Sequence, residues 1–271
     1  MNKIFVCFTC ERDLALLEAQ YAAIMRAEPN ADVYYVFESG ENAQGPVGSK
    51  VVSCEFSHNG NLIGLEAHYG MLQVMRQLSE ENGKCDVIKI DSDCYFISDY
   101  PKGFDLIGTA PGHGYYCKGC CYKMSYNCIC KAIEYLRKDY VDVTGRIEDG
   151  TISMISAIVS KPNKVRILNA YNVDDEGKPT TIHSCAFQSG YYNQPEGIDN
   201  VKHFIDCGDS IYINSYKEAN LPIPLAKARA LNFLLNYFQK KSENSQDSCE
   251  SGINKCNGSY NLQPLQSHPS R

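Results

Sequence analysis

The stretch Asp86-Val87-Ile88-Lys89-Ile90-Asp91-Ser92-Asp93-Cys94-Tyr95-Phe96 decides the fold class, because an apolar strand there runs straight into two aspartates one residue apart. Strand side chains alternate, so Asp91 and Asp93 are expected to point the same way where the strand gives out. Two carboxylates held that close repel, and something must compensate their charge. A hard divalent cation does this while bridging to phosphate oxygens, since Mg²⁺ or Mn²⁺ is commonly held by one or two carboxylates together with substrate phosphates. The position fits too: open α/β sheets bind ligands at the carboxyl ends of their strands.

Outward from that strand, the first half of the chain alternates strand and helix signals. Residues 4–8 form a short all-apolar run suited to a buried parallel strand. A helix follows with Leu14, Leu17, Tyr21, Ile24 and Met25 on one face and Asp13 as its expected N-cap, stopped by Pro29-Asn30. Residues 33–37 predict a second strand ending at Glu38, and residues 51–54 a third. A longer helix is expected over 61–79, with Gly83 just past its end. Two strand–helix units before the aspartates imply a parallel sheet covered by helices on both faces.

Beyond the aspartates the regularity loosens. Residues 104–109 read as a strand, followed by a Gly-, Tyr- and Cys-rich segment and a helix around 129–138. Glu148-Asp149-Gly150 precedes an amphipathic stretch in which Ile152, Ile155, Ile158 and Val159 share a helical face. Strands are expected over 165–168 and 201–205, and a last helix over 225–238 after Leu-Pro-Ile-Pro. From 241 to 271 the chain is rich in Ser, Asn, Gln and Asp, the composition of a disordered tail, so one domain over 1–240 is expected. No internal repeat is visible.

Composition narrows the function. With 271 residues, 44% hydrophobic and 21% charged, the chain has the make-up of a globular protein with a substantial core. A net charge of −6 provides no overall basic field, which argues against nucleic acid as the main partner. No apolar run approaches the roughly 20 residues that cross a bilayer, and the N-terminus lacks a signal-peptide pattern, so a cytoplasmic location without a transmembrane segment is expected. Fourteen cysteines in such a setting read as reduced thiols, several of them in strands (Cys7, Cys54, Cys207). The cluster Cys117, Cys120, Cys121, Cys128 and Cys130 has enough thiols for a structural Zn²⁺, but its spacing matches no ribbon or knuckle, and ordinary thiols are the adopted reading.

Taken together, Lys3-Ile-Phe-Val-Cys-Phe-Thr, the strand ending in Glu38, Asp91-Ser92-Asp93 and the helix opened by Glu148-Asp149 resemble the GT-A-fold nucleotide-sugar glycosyltransferases over roughly residues 3–238. The resemblance implies a GT-A-like, mostly parallel α/β sheet, with residues 1–100 as a nucleotide-sugar half and 101–240 as an acceptor side. It implies a metal-dependent glycosyltransferase that moves a sugar from a nucleoside-diphosphate sugar donor to a glycan or other hydroxyl acceptor. Residue by residue, Asp93 corresponds to the direct ligand of Mn²⁺ or Mg²⁺, and Asp91 to a contact with metal, ribose or sugar. His203, with His183 second, corresponds to a further metal ligand, against the plain alternative of a packed histidine. Glu148 and Asp149 correspond to the acidic pair that supplies a general base, Asp149 foremost, against the alternative that Asp149 caps a helix starting at Thr151. Thr9, Arg12 and Glu38 fall at the nucleotide-binding positions, while Glu66, His68 and Arg76 stand where the family often has a basic residue. Tyr115, Tyr116, Tyr122 and Tyr126 are candidates for an aromatic acceptor groove or for ordinary packing.

Other readings stay open. A haloacid-dehalogenase-like phosphotransferase also carries Asp-x-Asp after an apolar strand, its first aspartate acting as nucleophile, but usually on the first strand and not the fourth. A nucleotidyltransferase generally has a Gly-rich loop after the first strand, and Thr9-Cys10-Glu11-Arg12-Asp13 has no glycine. A GT-A-like module that binds sugar nucleotides without turnover is the non-enzyme alternative.

Overall fold

The computed structural model describes residues 3–58, 62, 64–97, 99–110, 116–117, 119–138, 148–169, 172–173, 179–181, 184–187, 210–213 and 222–252. Its centre is a seven-stranded sheet built from β1 (Lys3–Phe8), β2 (Asp32–Glu38), β3 (Lys50–Cys54), β4 (Asp86–Ile90), β6 (Leu106–Ala110), β7 (Cys121–Met124) and β8 (Val165–Asn169), in the order β3-β2-β1-β4-β7-β6-β8. β1, β2, β3 and β4 pair in parallel, as do β6 and β8, and β7 alone runs antiparallel to both its neighbours. The order reverses beside β4, the kind of switch point at which open α/β sheets bind ligands at the carboxyl ends of their strands. A mostly parallel mixed sheet flanked by helices in one domain is the α/β architecture expected from the sequence.

Strand alternation assigns the faces. Ile4, Val6, Val36 and Val87 pack with α2 (Leu65–Glu81), α3 (Tyr126–Leu136) and α4 (Glu148–Val159) through Met71, Leu72, Met75, Ile129, Ile133, Ile152 and Ile155. The intervening residues Phe5, Cys7, Tyr35, Phe37, Ile88 and Ile90 face α1 (Leu14–Ala27), meeting Leu17 and Ile24. Each such side chain taken out of water contributes on the order of 1.5–3 kcal/mol, and this burial outweighs local propensity. A third cluster joins α5 (Ile223–Gly252) to α1 and to β5 (Cys94–Phe96). Ala226, Ala230, Leu231 and Leu234 meet Leu16, Ala19 and Ala23, and Tyr95 stacks on Phe238 with ring centroids 5.1 Å apart. Two small sheets complete the described strands: β9 (Asn172–Val173) with β10 (Pro179–Thr181), and β11 (Ser184–Phe187) beside β12 (Ser210–Ile213) and β5.

Several boundaries differ from the expected ones. The strand carrying the aspartates stops at Ile90, so Asp91 and Asp93 lie in a turn, and Cys94–Phe96 pairs with β12 in another sheet. α2 begins at Leu65, after Gly64 with φ 87°. Gly83, with φ 82°, follows its end as its place after Glu80-Glu81-Asn82 predicts. α3 starts early because Ser125 caps it, its hydroxyl accepting from the Cys128 N–H at 3.1 Å. Asp13 precedes α1 without capping it: a 3₁₀ turn over Glu11–Asp13 intervenes, and the carboxylate is used elsewhere. α5 continues to Gly252, past the boundary expected at residue 240, through a polar run with no Pro or Gly to stop it before that glycine. The expected strand over 201–205, with His203, and also His183, Tyr115 and Cys207, lie outside the described residues.

Candidate functional site

The site forms where β4 ends. Ile88 and Ile90 go to the α1 face, so alternation sends Val87 and Lys89 to the opposite face, beneath α4. A lysine there is buried, and its side chain is only 3% exposed. Its ammonium satisfies all three donors on other segments: Asp91 Oδ1 at 2.5 Å, the Gly119 carbonyl at 2.6 Å and Glu148 Oε2 at 3.0 Å. Glu148 Oε1 accepts from the Tyr122 hydroxyl at 2.6 Å. One lysine therefore links the Asp-x-Asp turn to the first turn of α4, although Glu148 is 59 residues away in the chain. The two acidic motifs singled out in the sequence converge on it.

Burial governs the charge states. Burial pushes the Glu148 carboxyl up to about 7, and the nearby Asp91 adds to this, while Lys89 and the Tyr122 hydroxyl pull the other way. For Lys89, burial works against the charge, but Asp91 and Glu148 outweigh it and hold the ammonium well above its ordinary range. Asp93, 8% exposed, is pushed up to about 6 by burial and by Asp91, against the opposing charge of Lys227. Lys227 reaches it from α5 and hydrogen-bonds Asp93 Oδ2. The charge compensation that the close aspartates demand thus comes in part from two lysines, one for each carboxylate.

The turn is held from below as well. Gln20 on α1 donates to the Asp91 carbonyl at 2.6 Å and is itself fixed by the Tyr35 hydroxyl at 2.8 Å. Ser92 Oγ donates to Asp13 Oδ2 at 3.1 Å, and Arg12 pairs with Asp13 Oδ1 at 3.0 Å, which ties the β1–α1 connection to the aspartate turn. Thr9 and Glu38 occupy the same rim. Thr9 donates its N–H to the Val36 carbonyl at 3.0 Å, and its buried hydroxyl has no partner among the described residues. Glu38 Oε1 accepts from the His58 N–H at 2.7 Å and from Ser57 Oγ at 3.2 Å. His58, buried between Phe8 and Phe56, carries an Nε2 with no partner among the described residues, and burial lowers its pKa. A buried polar atom without a partner costs stability, so two such atoms at the strand ends are places where a ligand's polar edge would be welcome.

Arg12 is linked through Asp13 and Ser92 to the aspartate turn, and Asp91 and Glu148 meet on Lys89. Asp149 lies in the first turn of α4, which begins one residue earlier at Glu148, so Asp149 does not cap a helix starting at Thr151. Tyr122 turns inward to Glu148 and Met71, as the packing alternative expects, and Tyr126 donates to Glu80 on the surface. Asp13, expected as a helix cap, binds Ser92 and Arg12 instead, and Lys89, Lys227, Gln20 and His58 are not singled out by the sequence reading. Of these only Lys89 left a signal, a charged residue in an otherwise apolar strand, which implies buried partners. Cys117, Cys120, Cys121 and Cys128 are buried and Cys130 is half-buried.

Among the described residues no three His, Cys, Asp or Glu side chains form a ready-made metal cage. The donor set at the turn nevertheless fits a hard divalent ion. It presents two carboxylates close in the chain, oxygen ligands of the kind such ions take, with Asp91 still partly exposed. No helix among the described residues is long and apolar enough to cross a membrane.

No protein-family model matches the chain, and no curated protein matches it. Among solved structures, the apo form of the glycosyltransferase GlyE in Streptococcus pneumoniae TIGR4 is similar, with a TM-score of 0.43 and 14% identity over 89% of this chain and 64% of that one. A second GlyE structure gives a TM-score of 0.43 at 13% identity over the same shares. This chain thus spans 64% of the length of those proteins. A likeness so distant carries no weight for substrate or mechanism, and the fold stands on the sheet order itself.

Proposed function

We propose that the protein transfers a sugar from a nucleoside-diphosphate sugar to a hydroxyl acceptor, with Mn²⁺ or Mg²⁺ at Asp91 and Asp93. The observation that carries this reading is the convergence of the Asp-x-Asp turn and the acidic start of α4 at the carboxyl edge of the sheet, through the single ammonium of Lys89. Breaking the sugar–phosphate bond needs stabilisation of a departing diphosphate at one point and proton removal from the acceptor at another. We assign both needs to this rim.

Asp93, with Asp91 beside it, is the ligand for the divalent ion, which when bound acts as a Lewis acid on the diphosphate. Arg12 and the Thr9 hydroxyl receive the nucleotide at the ends of β1 and β2, and Glu38 shapes the same pocket through its bonds to the 57–58 segment. Asp149 takes the acceptor proton. Glu148 is committed inward to Lys89 and Tyr122 and so serves the site from behind. His203 remains a candidate additional ligand from the sequence pattern.

Calorimetric titration of a panel of nucleoside diphosphates and their sugars, with Mn²⁺ and then with EDTA, tests this. Micromolar binding that disappears with EDTA is the expected result. Folded protein that binds no member of the panel would overturn the proposal and favour the phosphotransferase alternative. Metal-dependent binding without transfer to any of a set of hydroxyl acceptors would favour the inactive module.

A further inference from the structure

We infer that Lys89 is a positioning residue that locks the Asp91 carboxylate and the first turn of α4 into one unit, fixing the donor-binding turn relative to the helix that carries Asp149. The inference rests on the donor reading above and deepens it. It starts from three contacts that are unusual for a strand residue. Lys89 has no solvent to donate to, and its three acceptors belong to the aspartate turn, to the loop entering β7 and to α4. Removing any one of those segments leaves a buried donor unsatisfied, so the segments stand or fall together.

The arrangement also sets the orientation of Asp91. Its Oδ1 is engaged by Lys89 at 2.5 Å while its side chain remains 35% exposed, so the carboxylate is anchored by one oxygen and stays open to the site. Its backbone carbonyl is held by Gln20 from the other side of the sheet. On the α4 side, Glu148 is clamped between Lys89 and the Tyr122 hydroxyl, and the ring of Tyr122 lies 5.9 Å from the ammonium. Bonds behind a ligating carboxylate decide how well it is aimed, and losing such a partner commonly weakens metal affinity or activity by about 10- to 100-fold.

A purely structural lysine would show in stability alone, so the test separates stability from binding. Lys89→Met leaves two carboxylates facing a methionine and lowers the melting temperature. The double variant Lys89→Met/Glu148→Gln removes the stranded charge from α4, and Tyr122 retains an acceptor on the glutamine, so most of the lost melting temperature returns. Each protein is then titrated with the donor that wild type binds best, in the presence of Mn²⁺. The expected result is a double variant with restored stability whose donor affinity stays at least about tenfold weaker than wild type, in the range for lost partners behind a ligand. Lys89→Arg, which keeps a cation able to reach both carboxylates, is expected to recover part of that affinity.

A double variant that regains stability and binds donor as wild type does would overturn the inference. So would Lys89→Arg binding no better than Lys89→Met while folded. A wild type that binds no donor at all would overturn the donor reading, and this inference with it.

Discussion

The pH dependence of stability should change when Glu148 becomes glutamine, and the structure gives the size of the change. Burial raises the Glu148 carboxyl from its ordinary 4.5 to about 7 in the folded protein. The folded state therefore holds this proton more tightly than the unfolded chain does. The resulting stabilisation is fully present below pH 4.5 and is lost as pH rises through about 7. At about 1.4 kcal/mol for each tenfold change in proton affinity, the loss amounts to about 3 kcal/mol. Glu148 is 7% exposed, so solvent screens little of this. Glutamine at 148 has no proton to lose, and Asp93, which is also shifted by burial, is common to both proteins and cancels in the difference. Urea unfolding of wild type and Glu148→Gln between about pH 5 and pH 8 reads the effect directly. Relative to wild type, the variant is expected to gain about 3 kcal/mol across that range, a midpoint shift near 1 M for a slope of about 3 kcal/mol/M. A difference between the two proteins that stays constant with pH would refute the reasoning, because the carboxylate would then be as well solvated folded as unfolded.

Other perturbations have equally definite outcomes. Asp93→Asn is expected to abolish Mn²⁺-dependent donor binding while circular dichroism shows the fold intact; unchanged binding would move the metal elsewhere. Asp149→Asn should leave donor affinity nearly unaltered and depress transfer to acceptor by about 10² or more, the scale of a lost general base. A lower melting temperature with activity preserved would instead mark a helix-terminus role. Lys227→Met takes away the cation that shares Asp93, so Mn²⁺ alone, followed by electron paramagnetic resonance, should bind several-fold tighter; weaker binding would show that Lys227 helps the metal. Phe238→Ala removes a 7% exposed ring that stacks on Tyr95 and lies 4.6 Å from the Arg26 guanidinium. A loss of about 3–5 kcal/mol is expected in chemical denaturation.

The sequence made some of these groups legible and hid others for physical reasons. Asp91 and Asp93 stand out because carboxylates directly after an apolar run must sit at a strand end, and strand ends are where sheets expose sites. The central strands β1, β2 and β4 were readable for the same reason, since runs buried on both faces leave little ambiguity. Glu148 was visible as an acid in a helix's first turn, but nothing local says whether such an acid faces water or core, and its inward turn depends on Lys89 from 59 residues away. Lys227 was beyond reach altogether. It lies on an amphipathic helix whose small residues, Ala226, Ala228 and Ala230, show only that something packs closely against it. That this partner is α1, and that the lysine then lands on Asp93, follows from tertiary packing. The polar segment after residue 240 misled in the opposite way, because composition reports the lack of a core-forming face and not the absence of a helix.

The position of α5 also orders the events of biosynthesis. A chain emerging N-terminus first can assemble β1 to β4 around α1 and α2 long before residue 227 is made. Until then Asp93 lacks its lysine, 134 residues downstream, and Leu16, Ala19 and Tyr95 lack the helix that covers them. The aspartate turn is therefore made well before α5 and completed only when that helix arrives. A ribosome stalled anywhere before α5 would hold a sheet with an apolar flank open to chaperones.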